Sequence, residues 1–535
     1  MKNYKKVYAA FILAGGLILH GCNGIFDDLA INPNQPSMGA YFTSPSAVND
    51  AVMTMYGYMS TQRCLGASGS KTTIIRSDEA SSNSDYGKPG MFGADLNASY
   101  YTIEQPYTLM YTTASQASYI IETAPSVDFS GNEELRNAYM GEAYFWRAFA
   151  HYYLLINFRN ISPIRQMPRN GDDYVRPLEK PAAVWNFIQE DLAHAKELLP
   201  VKGYWDSKNA GRVTKASAAA LLGKAYLYRS GIEQYYGEDK TTFYSEAAKE
   251  FGDVIDGKYG TYDLTKNYAD NFDVAHENNE ESILEFQFLG DVDNAGFNPG
   301  LATSGLAFDS RGLMLPGAGV GYEGVVHNWL YNAFVNSVDK DGYTDIRMFS
   351  TMIFNDLDAS IHLRNDAGGN LVRLEGPGGY KWEELYPAKN GKEGFATVSN
   401  PLAHSFKAGI RKGIDCSMPT QTEADGTPKL VGVGAGVKEY VYNQPRAHGV
   451  NWRYIRYADV LMMYAEAVVS GGTQASNMTP LQAVNKVRGR VNMSELPSVT
   501  MTDIQNERIL EFALEGHRFY DLLRWGKLAS RFTEL

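Results

Sequence analysis

The sequence predicts a mainly α fold, a scaffold of stacked helical hairpins with an irregular loop-rich region and a few short β-strands. Three observations predict it. Apolar residues recur at steps of three and four over long stretches on both sides of the middle of the chain. Between about 260 and 450 that period breaks down, and glycine and proline become dense (GFNPG, LPGAGVGYEG, LEGPGGY). The composition, 44% hydrophobic and 21% charged over 535 residues, suits a soluble globular chain with a large core or two to three packed units.

The first element is a targeting segment. Lys2, Lys5 and Lys6 precede the uncharged run Val7–Leu19, which is too short to span a bilayer comfortably. The run ends in Leu19-His20-Gly21-Cys22. A small residue before a cysteine resembles the lipobox of bacterial lipoproteins, where cleavage leaves Cys22 to be acylated. Acyl chains contribute about 0.8 kcal/mol per buried CH₂, so several chains on one residue anchor firmly. Residues 1–21 are therefore expected to be a signal peptide. Its removal takes three lysines from a chain of net charge −12, leaving about −15. Residues 22–40 read as the lipidated cysteine and a tether, because Pro33 and Pro36 disfavour helix. The acidic pair Asp27-Asp28 looks like the surface-export signal of Bacteroidota lipoproteins. Residues 41–535 form the body.

Helices follow in order. One is expected over Ala47–Ser60 and one over Tyr107–Thr123. In 133–158, Ala138, Phe145, Phe149, Tyr152 and Ile156 step by 7, 4, 3 and 4 along one helix face. Val184, Ile188, Leu192, Ala195 and Leu199 form a second stripe, stopped by Pro200. Thr214–Ser230 is rich in small residues that admit a close neighbour, and Phe243, Ala247, Phe251 and Val254 form the next stripe. Gly141-x-x-Tyr144 with Ala183-x-x-x-Phe187, and Leu222-Gly223-x-x-Tyr226 with Ala247-x-x-x-Phe251, resemble part of the tetratricopeptide pattern. Such pairs stack into a curved array. Ser282–Phe288 and Glu439–Tyr442 read as short strands in the loop-rich part, and Ile455–Val468 with Leu481–Val491 as a further helical pair. Trp146, Trp185 and Trp525 lie on strongly apolar helices and read as core.

Catalytic chemistry is thin. The sequence has no H-E-x-x-H, G-x-S-x-G, Walker loop or C-x-x-C. The net acidic charge speaks against nucleic acid as a partner. Gly319–Gly324 matches G-x-G-x-x-G without a β-α-β context and reads as a loop. Asp339, Asp341 and Asp345 read as a solvated turn, with a structural calcium ion as the open alternative; no cofactor is expected. Cys64 and Cys416 read as buried or incidental thiols.

The C-terminal residues carry a family resemblance. Arg456-Tyr457-Ala458-Asp459-Val460-Leu461-Met462-Met463-Tyr464-Ala465-Glu466-Ala467 resembles the R-Y-A-D-V-L-L-M-Y-A-E-A signature of the RagB/SusD family. Asn485-Lys486-Val487-Arg488-Gly489-Arg490 resembles its N-x-V-R-x-R. Glu507-Arg508-x-x-Glu511, Glu515-Gly516-His517-Arg518 and Asp521-Leu522-Leu523-Arg524-Trp525-Gly526 resemble its E-R-x-x-E, E-G-x-R and D-L-x-R-W-G. Gly141–Ala148 is similar to the family's G-E-A-x-F-L-R-A helix. The mixed charges of this block on apolar helices suit partly buried Arg–carboxylate pairs that set helix register.

The resemblance implies a non-catalytic, lipid-anchored outer-membrane protein, a tetratricopeptide-like helical body with an irregular region above it. It implies a lid on a SusC-like TonB-dependent transporter, facing the cell exterior and delivering an oligosaccharide or polysaccharide. A peptide-binding lid and a surface glycoside hydrolase are the alternatives. The body then divides into a helical part at about 41–260, a loop-rich part at about 260–450 and a helical signature part at about 450–535. Sugars need aromatic faces and polar partners for their hydroxyls. On that ground Asn83, Asp85, Tyr86 and Phe92, in the segment that often contributes in this family, are the candidate ligand residues, with Tyr322, Tyr380 and Trp382 from the glycine-rich region.

Overall fold

The structure is a computed structural model. It describes residues 42–61, 64–66, 69, 71–82, 98–169, 173, 175–288, 323–374, 381, 407–412, 424, 430–432, 438–440 and 450–534. The signal segment 1–21 and tether 22–40 lie outside the described residues.

Helix α1 (Pro45–Met59) starts where the Ser44 hydroxyl accepts from Ala47 N and Pro45 takes the first helical position. After it come a π-helical turn (Lys71–Ile75) and strand β1 (Ala80–Ser82). Then follow α2 (Tyr101–Thr123), α3 (Glu133–Phe158), α4 (Pro181–Leu198), α5 (Lys215–Tyr236) and α6 (Tyr244–Ile255). Each packs on the next, so the predicted hairpin array is present. At Gly223 a Cβ would stand 2.7 Å from the Phe251 ring, which is why the helix pair needs glycine there. The array begins earlier than the periodicity indicates. Helix α2 opens at Tyr101 rather than Tyr107 and carries Pro106 one turn inside. Pro106 lacks the N–H that would bond the carbonyl of Thr102, a loss that the first turns of a helix tolerate best.

The loop-rich part holds β2 (Ser282–Phe286), β3 (Glu323–Val326), α7 (Asn328–Val335), α8 (Arg347–Thr351), β4 (Met352–Phe354), β5 (Ala408–Ile410), β6 (Leu430–Gly432) and β7 (Lys438–Tyr440). One small sheet has strand order β1-β3-β5-β4, all antiparallel.

The signature begins with a strand, β8 (Trp452–Arg456), where the periodicity suggested helix from Ile455. Its aromatic and β-branched residues suit a pleated surface, and it pairs antiparallel with β2, Phe286 opposite Trp452. Helices α9 (Tyr457–Val469), α10 (Pro480–Arg490), α11 (Met501–Glu511), α12 (Arg518–Arg524) and α13 (Leu528–Glu534) complete the chain. Helix α9 docks on α6 and α10, and α12 docks on α5, so the two ends of the chain share one core. Trp146 and Trp185 are buried in it as expected. Trp525 is only half-buried, with its indole N–H donating to the buried Glu466 at 3.0 Å.

The signature charges are more deeply buried than expected. Arg456 donates to Glu281 (2.7 Å), Glu511 (2.6 Å) and Glu515 (2.9 Å), and Arg347 bridges Asp345, Glu507 and Glu511. Arg490 joins Glu281 and Glu511. A second network holds Arg508 against Asp459 and Asp521, each at 2.8 Å, with Lys224 on Asp459 at 3.2 Å. Burial alone would raise Asp459; the charges of Lys224, His517 and Arg508 overcome it and hold its carboxyl far below the usual range.

Candidate functional site

Two of the segments that carry the sequence-based ligand candidates are rooted side by side. In the β1–β3 pair, Ser82 stands opposite Glu323. Residue 83 follows one strand end and residue 322 precedes the other. Asn83, Asp85, Tyr86, Phe92, Tyr322, Tyr380, Trp382 and the lipidation candidate Cys22 themselves lie outside the described residues.

The root is held by the C-terminal signature. The carboxylate of Asp78, fully buried, accepts from Arg518 Nε at 2.8 Å and Nη2 at 3.0 Å, and from Arg531 Nε at 2.7 Å. Burial raises Asp78, but these two arginines outweigh it and keep the acid ionised. Its neighbour Glu79 accepts from Leu514 N at 2.9 Å and Ser77 Oγ at 3.2 Å and has no arginine of its own. Burial pushes Glu79 up to about 8, so it carries its proton at neutral pH. Trp329 Nε1 donates to the Asp78 carbonyl at 2.5 Å and His327 N to the Glu79 carbonyl at 2.9 Å, stitching β3 and α7 to the same turn.

Beside this root opens a cavity of about 710 Å³. The turn that precedes β1 contributes Thr72 and Arg76; the first turns of α2 contribute Thr102, Ile103, Glu104 and Tyr107; the end of α3 contributes Tyr153, Asn157 and Phe158. Ala98, where the described chain resumes after Ser82, also lines it. Tyr107 is 39% exposed and stands edge-on to Phe158, ring centroids 5.0 Å apart. Arg76 lies 3.8 Å over the Phe519 ring and donates to Asn157 Oδ1 at 2.9 Å. Tyr520 donates to the same oxygen at 2.9 Å, and Asn157 Nδ2 donates to the Tyr153 carbonyl at 2.9 Å. Burial pushes the Tyr153 phenol above its ordinary value.

This lining suits binding rather than reaction. It has an exposed aromatic ring, hydroxyls and a guanidinium, the groups that stack on a sugar face and satisfy its hydroxyls. Among the described residues that line it, Glu104 is the one carboxylate, so these residues include no facing pair of the kind that glycoside hydrolysis uses. None of these wall residues was among the sequence candidates. Arg76 and Thr72 precede the nominated segment and show no periodic signal, and Tyr107 read only as the start of a helix.

A second concavity, about 240 Å³, lies beside Trp205, Arg212 and Glu285. Its charges are already engaged: Arg212 holds Glu142 at 2.6 Å and Arg453 holds Glu285 at 3.3 Å. The tip of the Asp339 turn, Lys340 to Gly342, is exposed as expected, but the flanking acids are not. Asp339 is buried and holds Arg364 at 2.6 Å, and Asp345 is taken by Arg347 at 2.7 Å. Among the described residues no group of three His, Cys, Asp or Glu is placed to hold a metal ion. Cys64 is a buried free thiol. No described helix is long and apolar enough to cross a membrane.

Comparison with known proteins agrees with this architecture. A model of the SusD family matches residues 421–534, and a family model described as starch-binding associating with outer membrane matches residues 31–227. A SusD-like protein of Bacteroides ovatus is 24% identical over 532 residues, 98% of this chain and 83% of that one. The crystal structure of a SusD superfamily protein from Bacteroides vulgatus superposes with a TM-score of 0.66 at 22% identity, covering 92% of this chain and 91% of the other. A laminarin-binding SusD-like protein gives 0.64 at 23% identity, covering 92% and 94%. The residues that wall the cavity fall within the second family match and those that clamp its root within the first, so both parts of the site lie in stretches that are similar to SusD-family proteins.

Proposed function

We propose that this chain is a surface lipoprotein that takes an oligosaccharide into the cavity between the Lys71–Ile75 turn, α2 and α3, and passes it as a lid to a SusC-like TonB-dependent transporter in the outer membrane. The observation that carries the reading is the cavity wall, with the Tyr107 ring exposed among hydroxyls and a guanidinium and a single described carboxylate. The family supports it, since SusD-like members are carbohydrate-binding proteins and not enzymes. We assign the segments that carry Asn83, Asp85, Tyr86, Phe92 and Tyr322 to the rest of the ligand surface, because they depart from paired strand ends next to the cavity. Tyr380 and Trp382 are assigned to it on their residue type. Acylation at Cys22 supplies the membrane anchor.

Affinity electrophoresis of the full chain through gels that contain laminarin, starch, xyloglucan or charged glycans tests the binding. Retardation by at least one glycan, with no saccharide products released, is expected. Retardation by none, with peptides bound instead, transfers the cavity to a peptide ligand. The lid role is tested by purifying the tagged chain from outer membranes: a β-barrel transporter is expected to co-purify, and a chain that comes away alone overturns that part. Cys22→Ser should move the protein from the membrane fraction to the soluble fraction.

A further inference from the structure

The described arginines follow a rule with one exception. Arg147, Arg212, Arg347, Arg456, Arg508 and Arg518 each lie against a carboxylate. Arg176 and Arg411, which have none, donate to backbone carbonyls. Arg76 alone among the described arginines has neither; its hydrogen bond goes to the side-chain amide of Asn157. It is half-buried in the cavity wall, and its charged form is disfavoured by that burial. The ionisable groups that act on it are the phenols of Tyr520, Tyr153 and Tyr236. Glu104 is exposed on the same wall and does not figure among them. A guanidinium has five donors in a planar fork that matches an oxyanion, and here most of them have no protein acceptor.

Two further features of the same cavity ask for the same partner. Thr102 is fully buried in its wall and its hydroxyl has no hydrogen-bond partner. An unmatched buried hydroxyl is costly and rare, and a ligand oxygen in the cavity would satisfy it. Thr102 also belongs to the first turn of α2, a 23-residue helix that has no side-chain cap at Tyr100. The N–H groups of Ile103 and Glu104 bond the Tyr100 carbonyl at 2.8 and 2.9 Å; those of Tyr101 and Thr102 precede them, and with the helix dipole they favour negative charge.

We propose that this corner of the cavity receives an oxyanion carried by the bound glycan, the carboxylate of a uronic acid or a sulfate ester, with Arg76 and the first turn of α2 as its receptor. The assignment rests on the carbohydrate-binding reading above and narrows it to acidic saccharides. Arg76 gives charge and fork geometry, Thr102 gives a hydroxyl donor, and Tyr107 at the exposed edge faces the sugar ring.

Titration calorimetry of the full chain with three probes tests it: oligogalacturonate for a carboxylate, carrageenan oligosaccharides for a sulfate ester and laminarin oligosaccharides as the neutral control. One charged probe is expected to bind at least about tenfold more tightly than laminarin in low salt, since charge-assisted pairs are roughly twice as strong as neutral ones. Which of the two binds distinguishes carboxylate from sulfate. Arg76→Gln, which keeps an amide donor and loses the charge, should cost about tenfold or more on that probe and clearly less on laminarin, whose hydroxyls an amide can still serve. Arg76→Met serves as the second variant should Gln pack poorly, and Thr102→Val should cost a few-fold. The proposal is overturned if neither charged probe binds, or if Arg76→Gln binds the charged probe as well as the parent does. Tight laminarin binding with no charged binding would sink this inference and leave the carbohydrate reading intact; no binding of any glycan would sink both.

Discussion

Arg518 holds Asp78 by two hydrogen bonds of 2.8 and 3.0 Å across 440 residues of sequence. The pair joins the C-terminal signature to the turn from which β1 and the candidate ligand segment depart. Removing one partner of a buried pair leaves the other charged in a poor solvent, at a cost of about 3–5 kcal/mol. Arg518→Met should therefore lower unfolding stability by several kcal/mol in denaturant titration, with Arg531 retaining part of the contact. Glycan affinity should fall with it, whereas Arg531→Met, at a more exposed position, should do less of both.

Glu79 makes a pH prediction of unusual sign. Its folded value is raised to about 8 by burial, above its ordinary value of 4.5. Between those values the unfolded chain gives up a proton that the folded chain keeps, so stability from this residue is full below about 4.5 and is lost as pH rises towards 8. Glu79→Gln cannot ionise. The stability of the variant relative to the parent should rise from pH 5 to pH 8.5; a flat difference would mean that Glu79 is ionised in the fold.

Two buried carboxylates of the Arg456 network act in the opposite direction. Charges from Arg490, Arg456 and Arg347 overcome burial and hold Glu511 below its usual range, and Glu281 is lowered for the same reason. Their contribution is present above the unfolded carboxylate value and is lost as pH falls through the folded one. Melting temperature should drop steeply in acid, and Glu511→Gln should reduce the steepness of that drop.

Gly231 on α5 leaves no room for a side chain, because a Cβ there would stand 2.4 Å from the backbone oxygen of Arg524. Alanine favours a helix interior by about 1 kcal/mol over glycine, yet Gly231→Ala should destabilise by about 1–3 kcal/mol, since backbone cannot swing aside. Circular dichroism melting of this variant checks whether α12 is docked on α5 as described.

Tyr107→Ala separates binding from folding. The ring is 39% exposed and makes edge-type contacts with Phe158 and Tyr111. Its loss should weaken the glycan about three- to tenfold, in line with about 0.5–1.5 kcal/mol for an aromatic contact, with little change in melting temperature.

Local features were the legible ones. The stripes from Ala138 to Ile156 and from Val184 to Leu199 placed α3 and α4 within a few residues, because period and burial agree there. Ile455 and Arg456 read as helix because they adjoin a long helical stripe; only the pairing of Trp452–Arg456 with Ser282–Phe286 makes them a strand. The signature charges were foreseen as register pairs, but which acid each arginine would meet depends on contacts such as Arg518 with Asp78 that no spacing encodes. The cavity wall was unforeseen for the same reason: Arg76, Thr102 and Asn157 come from three elements and have nothing in common until those elements pack.

The register of Ser82 against Glu323 has an evolutionary corollary. One excursion of the chain leaves this doorstep and another arrives at it, so either can change in length at that end while the helices behind keep their geometry. On the proposed assignment of these segments to the ligand surface, a lineage would change its diet here without rebuilding its architecture, and an engineer would redirect the protein by the same exchange.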